Sequence, residues 1–118
     1  MSWNYSQSTG TLSRDGQSVA TGYSGAGVGR NNPAEQAVHN VGPIPQGRYN
    51  IGPPFDAVKQ GPGVMRLTPV GHNALGRSGF LIHGDNVTHE ASTGCVILPP
   101  QIRSLIATSG DHDLEVSI

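Results

Sequence analysis

The sequence predicts a mainly β domain with one short helix near its C-terminus, and three observations lead there. The apolar runs are short, β-branched and bounded by turn residues, as in Phe80-Leu81-Ile82 and Cys95-Val96-Ile97-Leu98. The 118 residues include 17 glycines and 9 prolines, yet the net charge is only −1 and the apolar segments recur regularly. Such glycine and proline usage reads as turn chemistry rather than disorder, which needs few apolar runs and high net charge. Helical recurrence is convincing in one place only, where Ile102, Leu105 and Ile106 follow Pro100 at a first-turn position.

Taken in order, Trp3–Tyr5 and residues 10–22 read as a β-meander. Thr11-Leu12-Ser13 and Ser18-Val19-Ala20 flank Arg14-Asp15-Gly16-Gln17, where Asp-Gly marks a two-residue hairpin. Residues 23–32, YSGAGVGRNN, are too rich in glycine for a strand interior and read as a loop, with Asn32 capping a helical turn over Pro33–Gln36. Arg48-Tyr49-Asn50-Ile51 alternates as a strand between proline and glycine stops. Residues 56–63 read as a loop, 64–69 as a strand, 71–79 as a polar loop feeding Phe80–Ile82, and Leu114, Val116 and Ile118 as a last strand. The count is about seven strands. No repeat or linker divides the chain, so residues 1–118 form a single domain.

Composition excludes several function classes. No basic run exists to neutralise a series of phosphates, so no nucleic-acid partner is expected. No stretch is long enough for a membrane span. The opening MSWNYSQSTG has no basic start or apolar h-region, so synthesis in the cytoplasm without a cleaved leader is expected. The single cysteine excludes an internal disulfide.

Candidate chemistry gathers between Phe80 and Pro99. His83 stands where one apolar run ends and Cys95 where the next begins, so a thiolate–imidazolium pair can form if the two strands are neighbours. Gly94 permits close backbone approach, and the amides of Gly94 and Cys95 can bind an oxyanion, with Ser92 and Thr93 supplying hydroxyls around the sulfur. A base also needs a partner for its second ring nitrogen; the Gly84 carbonyl and the Asp85 carboxylate are the two candidates. A rival chemistry places a metal on His83, Asp85, His89 and Cys95, although no second cysteine or HExxH helix supports it. His39, His72 and His112 read as surface residues, with His72 in a loop that can border the site; Arg48, Arg66 and Arg77 could each hold a carboxylate, although ordinary surface charge is the commoner role.

Three segments in order, Gly42-Pro43-Ile44-Pro45-Gln46-Gly47-Arg48-Tyr49-Asn50-Ile51, Gly79-Phe80-Leu81-Ile82-His83-Gly84 and Ser92-Thr93-Gly94-Cys95, resemble the L,D-transpeptidase catalytic domain. That family carries a TP-x-G-x-F-x-I strand, an IHG histidine and a serine-x-glycine-cysteine nucleophile turn. The opening segment, Trp3-Asn4-Tyr5 through Tyr23-Ser24-Gly25, is similar to a narrower group of short bacterial domains, some of them antibacterial effectors of the type VI secretion system. Two features depart from the broad family and match the narrower group: Thr93 stands where a second histidine is usual, and the spacing from His83 to Cys95 is short.

The resemblance implies a small β-sandwich or barrel and a cofactor-free cysteine acyltransferase acting on peptidoglycan stem tetrapeptides. In that scheme Cys95 is the nucleophile, His83 the base, and Gly84 or Asp85 its orienter, while Gly94, Thr93 and Ser92 surround the substrate. The thioester goes on to hydrolysis (L,D-carboxypeptidase), to exchange with another D-amino acid, or to cross-linking (L,D-transpeptidase). It further implies secretion, action in the periplasm of a target cell, a secretion-system component and a cognate immunity protein as partners. The alternatives are a metal-dependent peptidase using His83, Asp85 and His89, and a non-catalytic wall-binding module.

Overall fold

The computed structural model describes residues 2–118. Strands β1 (Trp3–Ser6), β2 (Thr11–Arg14) and β3 (Gln17–Thr21) form the expected antiparallel meander. Asp15 (φ 54°) and Gly16 (φ 78°) make its tight turn, as a right-twisted hairpin requires. Then follow β4 (Tyr23–Ser24), β5 (Gly47–Ile51), β6 (Phe55–Ala57), β7 (Gly61–Val70), β8 (Leu81–His83), β9 (Val96–Ile97), α1 (Pro100–Thr108) and β10 (Asp113–Ser117).

Ten strands stand where about seven were expected. The segment 23–32 is not all loop, because its first two residues pair with β9 in the register Tyr23↔Ile97 and Ser24↔Val96. The segment 56–63 likewise holds the end of β6 and the start of β7. Such short polar stretches become strands only through a partner's ladder, which local periodicity does not reveal. The remaining strands, the helix, and the single turn at Pro33–Glu35, capped by Asn32 Oδ1 accepting from Ala34 N–H at 3.2 Å, lie where expected. Leu105 is an exception on the helix: it faces solvent, while Ile106 is buried and Ile102 packs against the core.

The strands run in the order β3-β2-β1-β10-β5-β7-β8-β9-β4, with β6 paired to β7. Most neighbours are antiparallel; β1–β10 and β8–β9 are parallel. The two ends of this path, β3 and β4, are consecutive in the chain and separated by Gly22 alone, so the sheet curls back on itself. The approach is close. A Cβ on Gly22 would lie 1.8 Å from the Ile97 carbonyl oxygen, which only glycine allows.

Alternation lines the inner face. Trp3 and Tyr5 sit opposite Leu114 and Val116, which continue into Tyr49, Leu67, Met65, Ile82 and Val96 across the following strands. Each such side chain, fully buried, contributes about 1.5–3 kcal/mol. Among the described residues no helix is long and apolar enough to cross a membrane.

Candidate active site

The parallel pairing of β8 with β9 builds the site. Ile82 lies opposite Val96 and His83 opposite Ile97, and Cys95 immediately precedes β9. Side chains alternate between faces, and Ile82 and Val96 point into the main core. His83 and Cys95 therefore emerge on the other face, one diagonal step apart. Regular strand spacing and rise correspond to a Cβ separation of about 8 Å, and the Cys95 thiol itself lies 3.9 Å from the Gly79 carbonyl oxygen. Tyr23, opposite Ile97, joins the same face.

His83 is buried, at 5% exposure, and its Nδ1 lies 2.8 Å from the Gly84 carbonyl oxygen. A carbonyl only accepts, so Nδ1 carries the proton and Nε2 keeps its lone pair. Of the two orienters foreseen, the Gly84 carbonyl makes the contact. Asp85 is engaged elsewhere: it accepts from the Tyr23 hydroxyl at 2.5 Å, from His89 Nδ1 at 2.8 Å and from Asn86 N–H at 2.9 Å. Burial raises the Asp85 pKa, but these hydrogen bonds together outweigh it and hold the carboxyl below its ordinary value. Its charge reaches His83 only at longer range.

Burial also governs the thiol and the imidazole. It pushes the His83 imidazole below 6.5, helped by the nearby Arg103 charge and opposed by the Gly84 carbonyl and Asp85. It pushes the Cys95 thiol above 9.0, opposed by the Leu81 amide hydrogen-bonded to the sulfur and by the Arg77 charge. The surroundings thus favour a neutral thiol and a neutral imidazole, rather than the preformed ion pair that the sequence suggested.

The turn carrying Cys95 is held by buried polar groups. Ser92 Oγ accepts from the amides of Gly25 (2.9 Å) and Gly94 (3.1 Å) and donates to the Cys95 carbonyl (2.6 Å). Ser24, fully buried, donates to the Gly94 carbonyl at 3.0 Å and accepts from Ile44 N–H at 2.8 Å. Ser92 is therefore a pin beneath the turn, while Thr93 is exposed above it. Gly94 has a φ of 142°, and a Cβ there would lie 2.5 Å from Arg77 Nη2, so two constraints require glycine.

Sequence reading offered Arg77 as a carboxylate holder but favoured an ordinary surface charge, and it put Tyr23 and Ser24 in a loop. Arg77 is buried against backbone carbonyls contributed by residues up to 41 positions away, and no local pattern signals that. Tyr23 and Ser24 belong to the site through β4. Tyr23 also accepts from Ala91 N–H at 2.9 Å, and Arg30 stacks 4.0 Å from the Tyr23 ring centre and donates to the His89 carbonyl. The connection from His83 to Cys95 is thus tied down at both ends. His83, Asp85 and His89 do not converge: among the described residues, no three potential metal ligands do.

Two depressions open at this face. A cavity of about 220 Å³ adjoins Cys95, lined by Asn40, Arg77, Ser78, Thr93 and Gly94 among others. A groove of about 590 Å³ lies toward Ile97, lined by Tyr23, Gly84, Asp85, Pro99 and Arg103. Cys95 and Ile97 are two residues apart on one face, so the depressions are neighbours along β9.

A search among curated proteins found no match to the chain. The Tlde1 domain family profile matches residues 18–115, from the first residues of β3 into β10, and so covers the whole Cys95–His83 region. The chain belongs to the Tlde1 domain family, a family of type VI secretion effectors.

Proposed function

We propose that residues 1–118 act as one catalytic unit, a cysteine acyltransferase on peptidoglycan stem tetrapeptides delivered to the periplasm of a competing cell. The observation that carries this reading is the shared face of Cys95 and His83, with Nδ1 committed to the Gly84 carbonyl and Nε2 left basic. His83 Nε2 takes the thiol proton as Sγ bonds to the carbonyl carbon of the third stem residue, on its L-centre. The tetrahedral oxyanion is held by the Cys95 amide, since the Gly94 amide is already donated to Ser92 Oγ. As the C–N bond breaks, the proton passes to the amine of the departing D-alanine. His83 then takes a proton from water, which attacks the thioester and releases a tripeptide and the free thiol. A D-amino acid, or the amine of another stem, entering in place of water gives exchange or a cross-link.

Removal of tetrapeptide donors weakens the wall, which accords with an antibacterial effector family. A cognate immunity protein and a secretion-system component are the partners this reading requires. Incubation of the purified chain with tetrapeptide muropeptides, read by mass, tests it. Loss or exchange of the terminal D-alanine is expected, and Cys95→Ala abolishes it. Unchanged muropeptides across the pH range, or activity that survives Cys95→Ala, refute it.

A further inference from the structure

The small cavity beside Cys95 is bordered by a buried cation with no acid to neutralise it. Arg77 is 6% exposed, and no described carboxylate hydrogen-bonds to it or forms an ion pair with it. Its Nη1 donates to the carbonyls of Gln36 (2.6 Å) and Pro43 (2.8 Å), and its Nη2 to those of Gly42 (3.0 Å) and Thr93 (3.3 Å). That uses four of the five N–H groups of a guanidinium; Nε–H has no acceptor among the described residues. Carbonyl dipoles satisfy hydrogen bonds, yet the full positive charge stays uncompensated, which is a costly state for a buried group.

A purely structural clamp would be expected to seal itself away from the site. Arg77 instead lines the open cavity together with Ser78, Thr93, Asn40 and the nucleophile. The cavity is about 220 Å³, room for one small amino acid residue and no peptide chain. Its neighbouring groove along β9 is more than twice as large, so the two are suited to unequal parts of one substrate.

We propose that this cavity is the leaving-group subsite, in which Arg77 recognises the free terminal carboxylate of the residue that departs from the attacked carbonyl. This deepens the acyl-transfer reading and rests on it. A small residue with a free carboxylate supplies the missing negative charge while its amine faces the sulfur. The selectivity that results is for peptides ending one residue beyond the attacked carbonyl. Amidated or extended peptides leave the cation unpaired or overfill the cavity.

The test compares a stem tetrapeptide ending in a free carboxylate with the same peptide ending in an amide. For the unmodified chain, kcat/KM for the acid should exceed that for the amide by at least about tenfold, the lower end expected for a charge-assisted contact. Arg77→Lys should retain part of this preference and Arg77→Met should lose it. Both variants also disturb the clamp on Gln36–Pro43, so the acid-to-amide ratio, and not the rate, is the readout. Equal cleavage of acid and amide overturns the subsite and leaves acyl transfer standing. Calorimetric binding of both peptides to the Cys95→Ala chain separates the two ideas when turnover is absent. Tighter binding of the acid then keeps the subsite and removes acyl transfer, whereas equal affinity, or none for either peptide, overturns the subsite as well.

Discussion

His83 shows how a single residue's surroundings set the reaction's starting point. Its lowered pKa makes it neutral where an ordinary histidine is partly charged, and its committed Nδ1 decides which nitrogen is the base. The acid limb of kcat/KM should therefore fall below pH 6.5 and follow His83 ionisation, observable in parallel by ring NMR. An acid limb that instead follows thiol ionisation, with full activity while His83 is still protonated, would signal a preformed thiolate–imidazolium pair. Stability carries the same dependence. Between the folded pKa and 6.5 the unfolded chain binds the proton more readily, so the contribution is complete above 6.5 and is lost as pH falls through the folded value. Chemical denaturation at pH 7 and pH 5 should show that decline, and a His83→Gln variant should flatten it. His83, Cys95 and Gly84 could be singled out in the sequence as candidates, because each sits at the end of an apolar run or beside one that does. Arg77 was one of three arginines the sequence offered as carboxylate holders, but its burial was not legible. Its burial depends on carbonyls from the 36–43 segment, and nothing near it in sequence reports their approach.

At the scale of elements, the connection between β8 and β9 determines whether His83 and Cys95, the proposed base and nucleophile, keep their register. Tyr23 on β4 receives the Ala91 amide and donates to Asp85, and Asp85 in turn holds His89. Tyr23→Phe removes the hydroxyl at the centre of this chain while keeping the ring under Arg30. Because the network is largely exposed, stability should fall by no more than about 1 kcal/mol. Turnover should fall about tenfold with little change in KM, as expected when reacting groups lose alignment. Faster amide exchange over residues 84–94, without change in the core strands, is the accompanying signature; an unaltered kcat would show that the loop needs no such anchor. Strand identity at this scale was readable where alternation ran for four residues or more, as in β2, β5, β7 and β10. It was unreadable in β4 and β6, which are too short and too polar to mark themselves.

Across the whole molecule, the sheet's closure brings the meander to the candidate active site. Gly22 links β3 to β4 and presses against the Ile97 carbonyl, so the end of the meander borders the groove beside β9. Gly22→Ala places a methyl group inside that contact. We expect a loss of about 2–4 kcal/mol, read as a lower denaturation midpoint, with activity lost in proportion at temperatures where the protein stays folded. A variant of unchanged stability would mean that the two ends of the sheet are not tightly joined.

Local residue order sufficed for the mainly β class, the hairpin at Asp15-Gly16, the helix after Pro99 and the candidate pair of sulfur and imidazole. Each of these depends on interactions within a few residues: turn dihedrals, period-two alternation, a first-turn proline. The tertiary structure alone decided that β8 and β9 run parallel with Cys95 and His83 on one face, that Gly84 rather than Asp85 holds the imidazole, and that Arg77 is buried beside the thiol. Those outcomes depend on strand pairing and desolvation between segments far apart in sequence, and neither leaves a periodic trace in the chain.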